Sequence, residues 1–441
     1  MSALERKNKA NYVLTSRTIG FFLFILGSLG IRARTTESIT LLLTGLAIVI
    51  YGKLYPVQID VYKKWWMFAT AAQICFFIAP NARHPDTLIK CFIYVLLATI
   101  LLFIIQTDWK ELSGLFRIME AVSFLVSVYI IFFRMFPRLY LRWIVPHLGY
   151  GAAQKALNEA NAGYGAALGD SYTYGDYLIM MGIAVFLGKD FSSGRKRIYP
   201  KLLIIIGLSG MLMEGRKGEL ISAILVVLLM YMVCRENTRA IKVSMRKLIF
   251  LTTMLIVVAM ILSIAHKQGY LYRFYVMYNR IMGNAGGDFS TGRLDRWKTA
   301  LQIFSDHPFL GVGWGGYTHY LSGTYTANID NNMYGSVHNC LLQLLCETGI
   351  IGTSLILAPY LLILIKTYKH NYRLRKNHYT NICQSRCTVF SLSIQFFFFF
   401  LFFIDPVFYN QYFWIVYMIA VAVEAYSMNC DRFFTTPLYR S

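Results

Sequence analysis

Long apolar runs recur along the whole chain, and short polar or charged stretches separate them. A run of about 20 mostly apolar residues is long enough to cross the hydrocarbon core of a membrane as a helix. The chain is therefore predicted to be an all-α, polytopic integral membrane protein with a single membrane domain over residues 1–441. We predict twelve spans, at residues 17–31, 38–57, 64–80, 87–106, 118–136, 171–188, 201–213, 218–234, 248–265, 338–366, 388–404 and 409–427.

The composition agrees with a membrane protein. Charged residues make up 15% of the chain, whereas a soluble domain carries about 25%. The net charge is +21, which in a soluble protein would suggest nucleic-acid binding. Most of these cations lie in short loops between apolar runs, so we expect membrane lipids, and no nucleic acid, as their partners.

The positions of lysine and arginine predict the orientation in the membrane. Three loops, at residues 189–201, 235–247 and 366–386, are rich in these two residues. With twelve spans, all three loops and both termini fall on one side, which the positive-inside rule assigns to the cytoplasm. We therefore predict a multi-pass protein of the inner (cytoplasmic) membrane, with its N- and C-termini in the cytoplasm.

Two long segments then face outward. Residues 137–170 are predicted to form a mobile outer loop, and residues 266–337 a large extracytoplasmic loop. The second loop is rich in aromatic residues and is predicted to be partly helical, because four apolar residues recur at helical spacing. These four are Trp297, Ala300, Leu301 and Phe304. Ser290 or Thr291 is predicted to cap this helix, and His307-Pro308 to end it before a flexible glycine-rich turn at 311–316.

Three polar motifs are predicted at the outer face. Arg216 lies in a Gly-Arg-Lys-Gly turn, where it would bind phosphate oxygens or serve as an ordinary interfacial cation. Arg293 and Arg296 suit a diphosphate leaving group, or would pair with acids such as Asp295 on a solvated helix. His338 is expected in the first turn of a helix, whose dipole would keep its imidazole neutral for general-base catalysis. The alternative for His338 is a histidine that local hydrogen bonds satisfy.

The order of these motifs resembles the O-antigen ligase and O-antigen polymerase family of bacterial membrane glycosyltransferases. The resemblance is strongest between residues 291 and 352, and a weaker match covers 207–222. The residues that carry it are Gly292-Arg293, Trp297, the His-Pro-Phe-Leu-Gly-Val-Gly stretch at 307–313, His338-Asn339, Glu347 and Gly349 to Gly352.

The resemblance implies a GT-C-like fold and a glycosyl transfer that uses neither a metal nor a cofactor. The donor would be an undecaprenyl diphosphate-linked oligosaccharide, and the reaction would take place outside the cytoplasmic membrane. The resemblance assigns catalytic roles to His338 and Arg293 and diphosphate binding to Arg216. Neighbouring arginines that would serve in the same role are Arg296, Arg273 and Arg280.

Three functions follow as hypotheses. The first is polymerisation of lipid-linked repeat units into a surface polysaccharide of the cell envelope, such as that of lipopolysaccharide, with a chain-length regulator as a possible partner. The alternative within the family is a ligase that transfers glycan to lipid A–core or another acceptor. The alternative from another class is a polysaccharide flippase, which would use intramembrane acids such as Asp176 and Glu424. The polar residues gather in one outer loop, so we expect these two acids to pair with a neighbouring Arg, Tyr or backbone group instead.

Overall fold

The computed structural model describes residues 109–148, 153–154, 156–158, 172–192, 198–234, 292–313, 316–317, 336–376 and 382–435. The four predicted spans before residue 109 and the span at 248–265 lie outside the described residues. Most of the loop at 266–337 and of the segment at 137–170 also lies outside them.

The described residues form nine α-helices and two 3₁₀ turns, and they contain no strand. The helices are α1 (Trp109–Met135), α2 (Pro137–Trp143), α3 (Tyr172–Ser192), α4 (Ile198–Glu214), α5 (Lys217–Cys234), α6 (Arg293–Asp306), α7 (Cys340–Lys376), α8 (Ile382–Leu401) and α9 (Gln411–Thr435). The 3₁₀ turns are Val145–His147 and Val407–Tyr409.

A helix lies at each of the seven predicted spans that fall within the described residues. In this part of the chain, three helices are long and apolar enough to cross a membrane: Leu112–Met135, Lys217–Cys234 and Cys340–Lys376. A shorter apolar helix covers Tyr412–Met428. The all-α class is confirmed for the described residues, whereas the total of twelve spans stays a prediction.

Helix α3 lies in the centre of the bundle. Every residue from 175 to 188 is buried, because α1, α4 and α8 pack around it. The crossing with α1 is so close that a Cβ on Gly182 would overlap the side chain of Ser123. Such small residues let helices approach each other where lipid provides no hydrophobic driving force between them.

The helix ends form two groups, at opposite ends of the bundle. The ends next to the basic segments are joined by side-chain contacts. Arg375 Nη1 donates to the carbonyl of Val233 at 2.7 Å, and Arg386 Nε donates to Ser192 Oγ at 3.0 Å. The polar turn between α4 and α5, the start of α7 and the end of α8 meet at the opposite end of the bundle. The assignment of that end to the outer face remains a prediction.

Two segments that were predicted to be loops are partly helical. The basic segment at 366–386 was predicted to be a loop, but α7 continues to Lys376 and α8 begins at Ile382. The outer segment at 137–170 likewise starts with α2 and a 3₁₀ turn. Charged side chains can extend a spanning helix beyond the hydrocarbon core, so hydropathy alone ended α7 too early and began α8 too late.

Candidate active site

The turn between α4 and α5 holds Arg216. Gly215 adopts the left-handed backbone conformation (φ 89°), which ends α4 and allows α5 to start two residues later. Gly218, in the first turn of α5, approaches Ile404 so closely that a Cβ there would lie 2.7 Å from Ile404 Cγ2. This contact brings the turn against the end of α8, and Arg216 Nη2 lies 3.5 Å from Asp405 Oδ2.

The end of α8 presents Asp405. The amide of Asp405 donates to the carbonyl of Leu401 at 2.8 Å, so the chain makes one further turn before Pro406. The carbonyl of Phe402 in the same turn accepts a hydrogen bond from the amide of Cys340 at 2.8 Å. This bond fixes the start of α7 beside Asp405.

His338 lies beside Asp405, just outside α7. Its Nδ1 is 3.3 Å from Asp405 Oδ1. The prediction that His338 lies in the first helical turn is wrong, because Asn339 caps α7. The Asn339 Oδ1 atom accepts hydrogen bonds from the amides of Leu341 at 3.0 Å and Leu342 at 3.1 Å. His338 precedes this cap with a φ of 53°, which is rare for a residue other than glycine.

Two side chains of helix α6 donate hydrogen bonds to the backbone just before His338. Trp297 Nε1 donates to the carbonyl of Val337 at 3.1 Å, and Arg296 Nη1 donates to the carbonyl of Ser336 at 3.3 Å. Arg296, expected to bind diphosphate, therefore contacts the backbone next to His338. The predicted cap of α6 is wrong, because the N-cap position belongs to Gly292 (φ 76°), which makes no side-chain cap bond.

The predicted end of this helix is confirmed, since α6 ends at Asp306 with His307 as its C-cap. Its inner face packs on a small apolar cluster that contains Ala300 and Ile303. Leu301, predicted on the same face, is 49% exposed and points outward.

Backbone hydrogen bonds join the turn after α6, at residues 308–313, to a break in α7, at residues 346–350. We call this pair of segments the glycine clip. Helix α7 is interrupted at Gly349, which has φ 60° and ψ −171°. The amides of Val312 and Gly313 donate to the carbonyls of Cys346 and Glu347, at 3.0 and 2.7 Å. The amide of Ile350 donates in the other direction, to the carbonyl of Pro308 at 2.9 Å. The turn expected to be flexible is therefore hydrogen-bonded to α7.

Close backbone contact explains the glycines of this clip. A Cβ on Gly311 would overlap the backbone of Glu347, and a Cβ on Gly349 would overlap the backbone of Phe309. Both glycines also have positive φ angles, 65° and 60°. Two of the motifs that suggested the family, His-Pro-Phe-Leu-Gly-Val-Gly and Gly-Ile-Ile-Gly, thus meet here.

Glu347 links the clip to the His338 segment through buried hydrogen bonds. Its Oε1 accepts from Gln343 Nε2 and from the amide of Tyr317, each at 3.2 Å. Gln343 Oε1 in turn accepts from the amide of Val337 at 3.3 Å. Tyr317 is itself buried, and burial raises the pKa of its hydroxyl to about 12.

The charged side chains of the site differ in how far they are exposed. The side chains of His338, Arg216 and Asp405 are 34%, 22% and 21% exposed, so the substrate can reach them. Glu219 lies beneath, is 5% exposed and forms an ion pair with Arg216 at 2.8 Å. Arg293, at the start of α6, interacts electrostatically with both Asp405 and Glu219.

The surroundings keep Asp405 and Arg216 charged. Burial alone would raise the pKa of Asp405, but the hydrogen bond with His338 and the charge of Arg216 lower it below its ordinary value. Burial alone would lower the pKa of Arg216, but Glu219 and Asp405 raise it above its ordinary value. The pair therefore stays ionised at neutral pH.

The structure thus brings together three of the predicted residues, His338, Arg216 and Arg293, whereas Arg273 and Arg280 lie outside the described residues. The sequence analysis missed Asp405 and Glu219. One signal for Asp405 was available, because it is the acid that directly follows the apolar run at 388–404 and precedes a proline. Nothing in the sequence pairs it with a histidine 67 residues earlier.

Comparison with known proteins agrees with this reading of the motifs. Residues 202–357 match the profile of the O-antigen ligase family. The matched segment contains Arg216, Arg293, the glycine clip and His338, and it ends before Asp405. None of the curated proteins matches the chain significantly. The match covers about a third of the chain and agrees with the resemblance to O-antigen ligases and polymerases that the motifs indicated.

Proposed function

We propose that this protein polymerises lipid-linked oligosaccharide repeat units at the outer face of the cytoplasmic membrane. The glycan would move from its undecaprenyl diphosphate carrier to a sugar hydroxyl of another unit. The observation that carries the proposal is the position of Asp405, which contacts His338 with one carboxylate oxygen and Arg216 with the other. A general base and a phosphate-binding cation are thereby held within one site.

His338 acts as the general base in this proposal. Asp405 accepts the Nδ1 proton, so the lone pair of Nε2 is available to the hydroxyl of the acceptor sugar. When His338 takes that proton, the resulting imidazolium lies beside a carboxylate that stabilises it. The metal-independent mechanism expected from the resemblance thus has its base within the protein.

Arg216 and Arg293 stabilise the leaving group. The acceptor oxygen forms a bond to the anomeric carbon as the bond from that carbon to the diphosphate oxygen breaks. The bonding electrons leave with the carrier diphosphate, and the acceptor proton stays on His338. Two arginines in a partly dehydrated site stabilise the growing charge on the diphosphate. A single displacement of this kind inverts the anomeric configuration.

A ligase is the second candidate, and the description of the matched family favours it. Its donor and its chemistry would be the same. The acceptor would then be lipid A–core or another glycan, and not a second lipid-linked repeat unit.

The test is transfer by purified protein in liposomes from a short lipid-diphosphate-linked repeat unit, with products separated on a gel. Wild type is expected to form a ladder without any other acceptor, and His338→Ala to lose about 10²–10⁴ in rate, the usual contribution of a general base. His147→Ala, a histidine exposed in the outer 3₁₀ turn, is the matched control and should keep its activity.

Each other outcome has a separate meaning. Products that form only after lipid A–core is added would identify a ligase. Full activity of His338→Ala would contradict its role as base. Movement of lipid-linked sugar across the bilayer without any transfer would contradict the enzymatic function and identify a flippase.

A further inference from the structure

The glycine clip exposes four large apolar side chains. Phe309 and Leu310, on the turn after α6, are 68% and 53% exposed. Ile350 and Ile351, just past the break in α7, are exposed as well. The amide of Ile350 donates to the carbonyl of Pro308 at 2.9 Å, and the amide of Ile351 donates to the carbonyl of Phe309 at 3.3 Å. These bonds place the four side chains next to one another, and we call them the apolar tip.

The backbone beside the apolar tip is fixed by hydrogen bonds. On one side, the amide of Val312 donates to the carbonyl of Cys346 at 3.0 Å, and on the other side Ile350 donates to Pro308. Moving the tip into the interior of the protein would break these bonds, so its exposure belongs to the fold. A large apolar patch that a rigid element exposes is typical of a surface that contacts a membrane or another protein.

The apolar tip continues the exposed face of α7, one of the helices long and apolar enough to cross a membrane. Exposed apolar residues lie along this face at helical spacing, with Ser354 as the polar residue among them. These apolar residues are Ile350, Ile351, Ala358, Leu361, Leu362 and Ile365. Exposed basic residues follow directly, at Lys366, Lys369 and Arg373. On a helix that crosses a membrane, an exposed face of this kind contacts lipid.

The length of this face leaves room for the tip within the bilayer. The distance from Ile350 to Ile365 is about 22 Å at the rise of an α-helix. The hydrocarbon core of a bilayer is about 30 Å thick. Because the basic residues mark one interface, the remaining thickness of about 8 Å lies at the end of α7 that carries the tip, and a tilt of the helix would increase it. Phe309 and Leu310 lie at this end.

The exposed residues change from polar to apolar between α6 and the tip. The last turns of α6 expose Gln302, Ser305 and Asp306. Phe309 and Leu310 follow within a few residues and are exposed in their turn. A change of this kind over so short a distance is typical of a segment that passes from water into the boundary between headgroups and acyl chains.

We propose that the apolar tip inserts into the lipid leaflet on the side of the site, with the acyl chains of that leaflet as its binding partner. The turn after α6 thereby anchors the long loop to the membrane. Trp297 of α6 donates to the carbonyl next to His338, so the anchor also holds the site at the level of the membrane surface. The inference goes beyond the proposed reaction and does not depend on it.

The test is spin labelling of the protein in liposomes of phosphatidylcholine and phosphatidylglycerol. A nitroxide is attached to Phe309→Cys, and its collision rates with oxygen and with a water-soluble nickel chelate are measured. Oxygen concentrates among acyl chains, whereas the chelate stays in water. We expect the ratio of oxygen to nickel collisions to be severalfold higher at this position than at an aqueous reference position.

Two exposed positions provide the references. Ser305→Cys, in the last turn of α6, is the aqueous reference, and Leu362→Cys, within the exposed face of α7, is the lipid reference. Phe309→Cys should resemble Leu362→Cys. Wild type treated in the same way gives the background from native cysteines. If Phe309→Cys does not fold, Leu310→Cys serves in its place.

Three results would overturn the inference. Frequent nickel collisions at Phe309→Cys would mean that the tip lies in water. Few collisions with either reagent would mean that protein, such as a second copy of the chain, covers it. Oxygen collisions that fall when a short-chain prenyl diphosphate-linked sugar is added would assign the tip to the chain of the carrier instead. The measurement in liposomes needs no donor, so a failure of the proposed function would leave its result unchanged.

Discussion

At the scale of single residues, Asp405 decides the geometry of the site. It contacts His338 at 3.3 Å and Arg216 at 3.5 Å, and its pKa is lowered although it is largely buried. A carboxylate that accepts the Nδ1 proton of a histidine fixes both the tautomer and the ring orientation. We therefore propose that Asp405 is a positioning residue, which would act on the substrate through the two residues that it contacts.

Asp405→Asn tests this positioning role. We expect the transfer rate to fall by about 10–100-fold, the usual cost of removing a residue that orients a ligating or catalytic histidine. The fall should be in kcat more than in KM, because the histidine is misdirected and the arginines remain. Asp405→Glu should recover part of the rate. A folded Asp405→Asn protein with the wild-type kcat would exclude the role.

The same variant predicts a dependence of stability on pH. A carboxyl group with a lowered pKa stabilises the folded state above its ordinary pKa, and this contribution disappears as the pH falls through the lowered value. The melting temperature of Asp405→Asn should therefore lie below that of wild type at pH 7, and the gap should shrink below about pH 4.

Asp295→Asn provides the control for this comparison. The side chain of Asp295 is 64% exposed, so its removal should change the melting temperature little at either pH. An equal gap between wild type and Asp405→Asn at pH 3 and pH 7 would contradict the lowered pKa of Asp405.

At the scale of elements, α6 and the break in α7 act together to place His338. Trp297 donates to the carbonyl next to His338, and the clip at Gly311 and Gly349 anchors the turn that follows α6. At the break, carbonyls of α7 lose their partners within the helix, and amides of the clip donate hydrogen bonds to them instead. The backbone of α7 therefore remains hydrogen-bonded there. The site therefore depends on segments that carry no catalytic side chain.

Trp297→Phe tests the contribution of α6. This change removes the hydrogen bond to Val337 and keeps an aromatic ring in the apolar cluster. The bond stabilises the fold by about 1 kcal/mol, so we expect a small fall in melting temperature. Because the same bond holds the segment that carries His338, we expect kcat to fall as well, by up to about fivefold. Trp143→Phe, at a tryptophan 54% exposed at the end of α2, should leave kcat unchanged. An equal effect of the two changes would contradict the positioning role.

Glycine substitutions test the clip. Gly349→Ala and Gly311→Ala each place a Cβ inside the opposite backbone, and we expect either to abolish stable expression or activity. Gly292→Ala is the matched control, since Gly292 also has a positive φ but nothing lies within 4 Å of its Cβ position. It should cost only about 1–2 kcal/mol of backbone strain. If all three variants behave alike, strain and not contact explains these glycines.

At the scale of the whole molecule, a second buried polar network lies far from the site. Glu424 was expected to pair with an Arg, Tyr or backbone group, but its Oε1 lies 2.7 Å from His370 Nδ1. Both residues are buried, and they join α7 to α9. His370 lies about 30 Å along the helix beyond the break at Gly349. The pair therefore stabilises the opposite end of the bundle.

Glu424→Gln should lower the melting temperature and leave the chemistry intact. The hydrogen bond to His370 is worth about 0.5–1.5 kcal/mol, and the glutamine keeps the volume of the side chain. At a temperature where the variant remains folded, kcat should equal that of wild type. A lower kcat under these conditions would mean that Glu424 serves the reaction.

Within the described residues, the sequence by itself determined the helical class and most of the helix positions, because burial in lipid forces apolar residues into runs of a minimum length. It also predicted Arg216, Arg293 and His338 as site residues, since these three stand in recognisable local patterns, and the structure places them near one another. Tertiary structure alone decided that Asp405 lies between His338 and Arg216 and that two glycine motifs form one clip. These contacts join residues far apart in the chain, and local hydropathy carries no information about which helix ends meet.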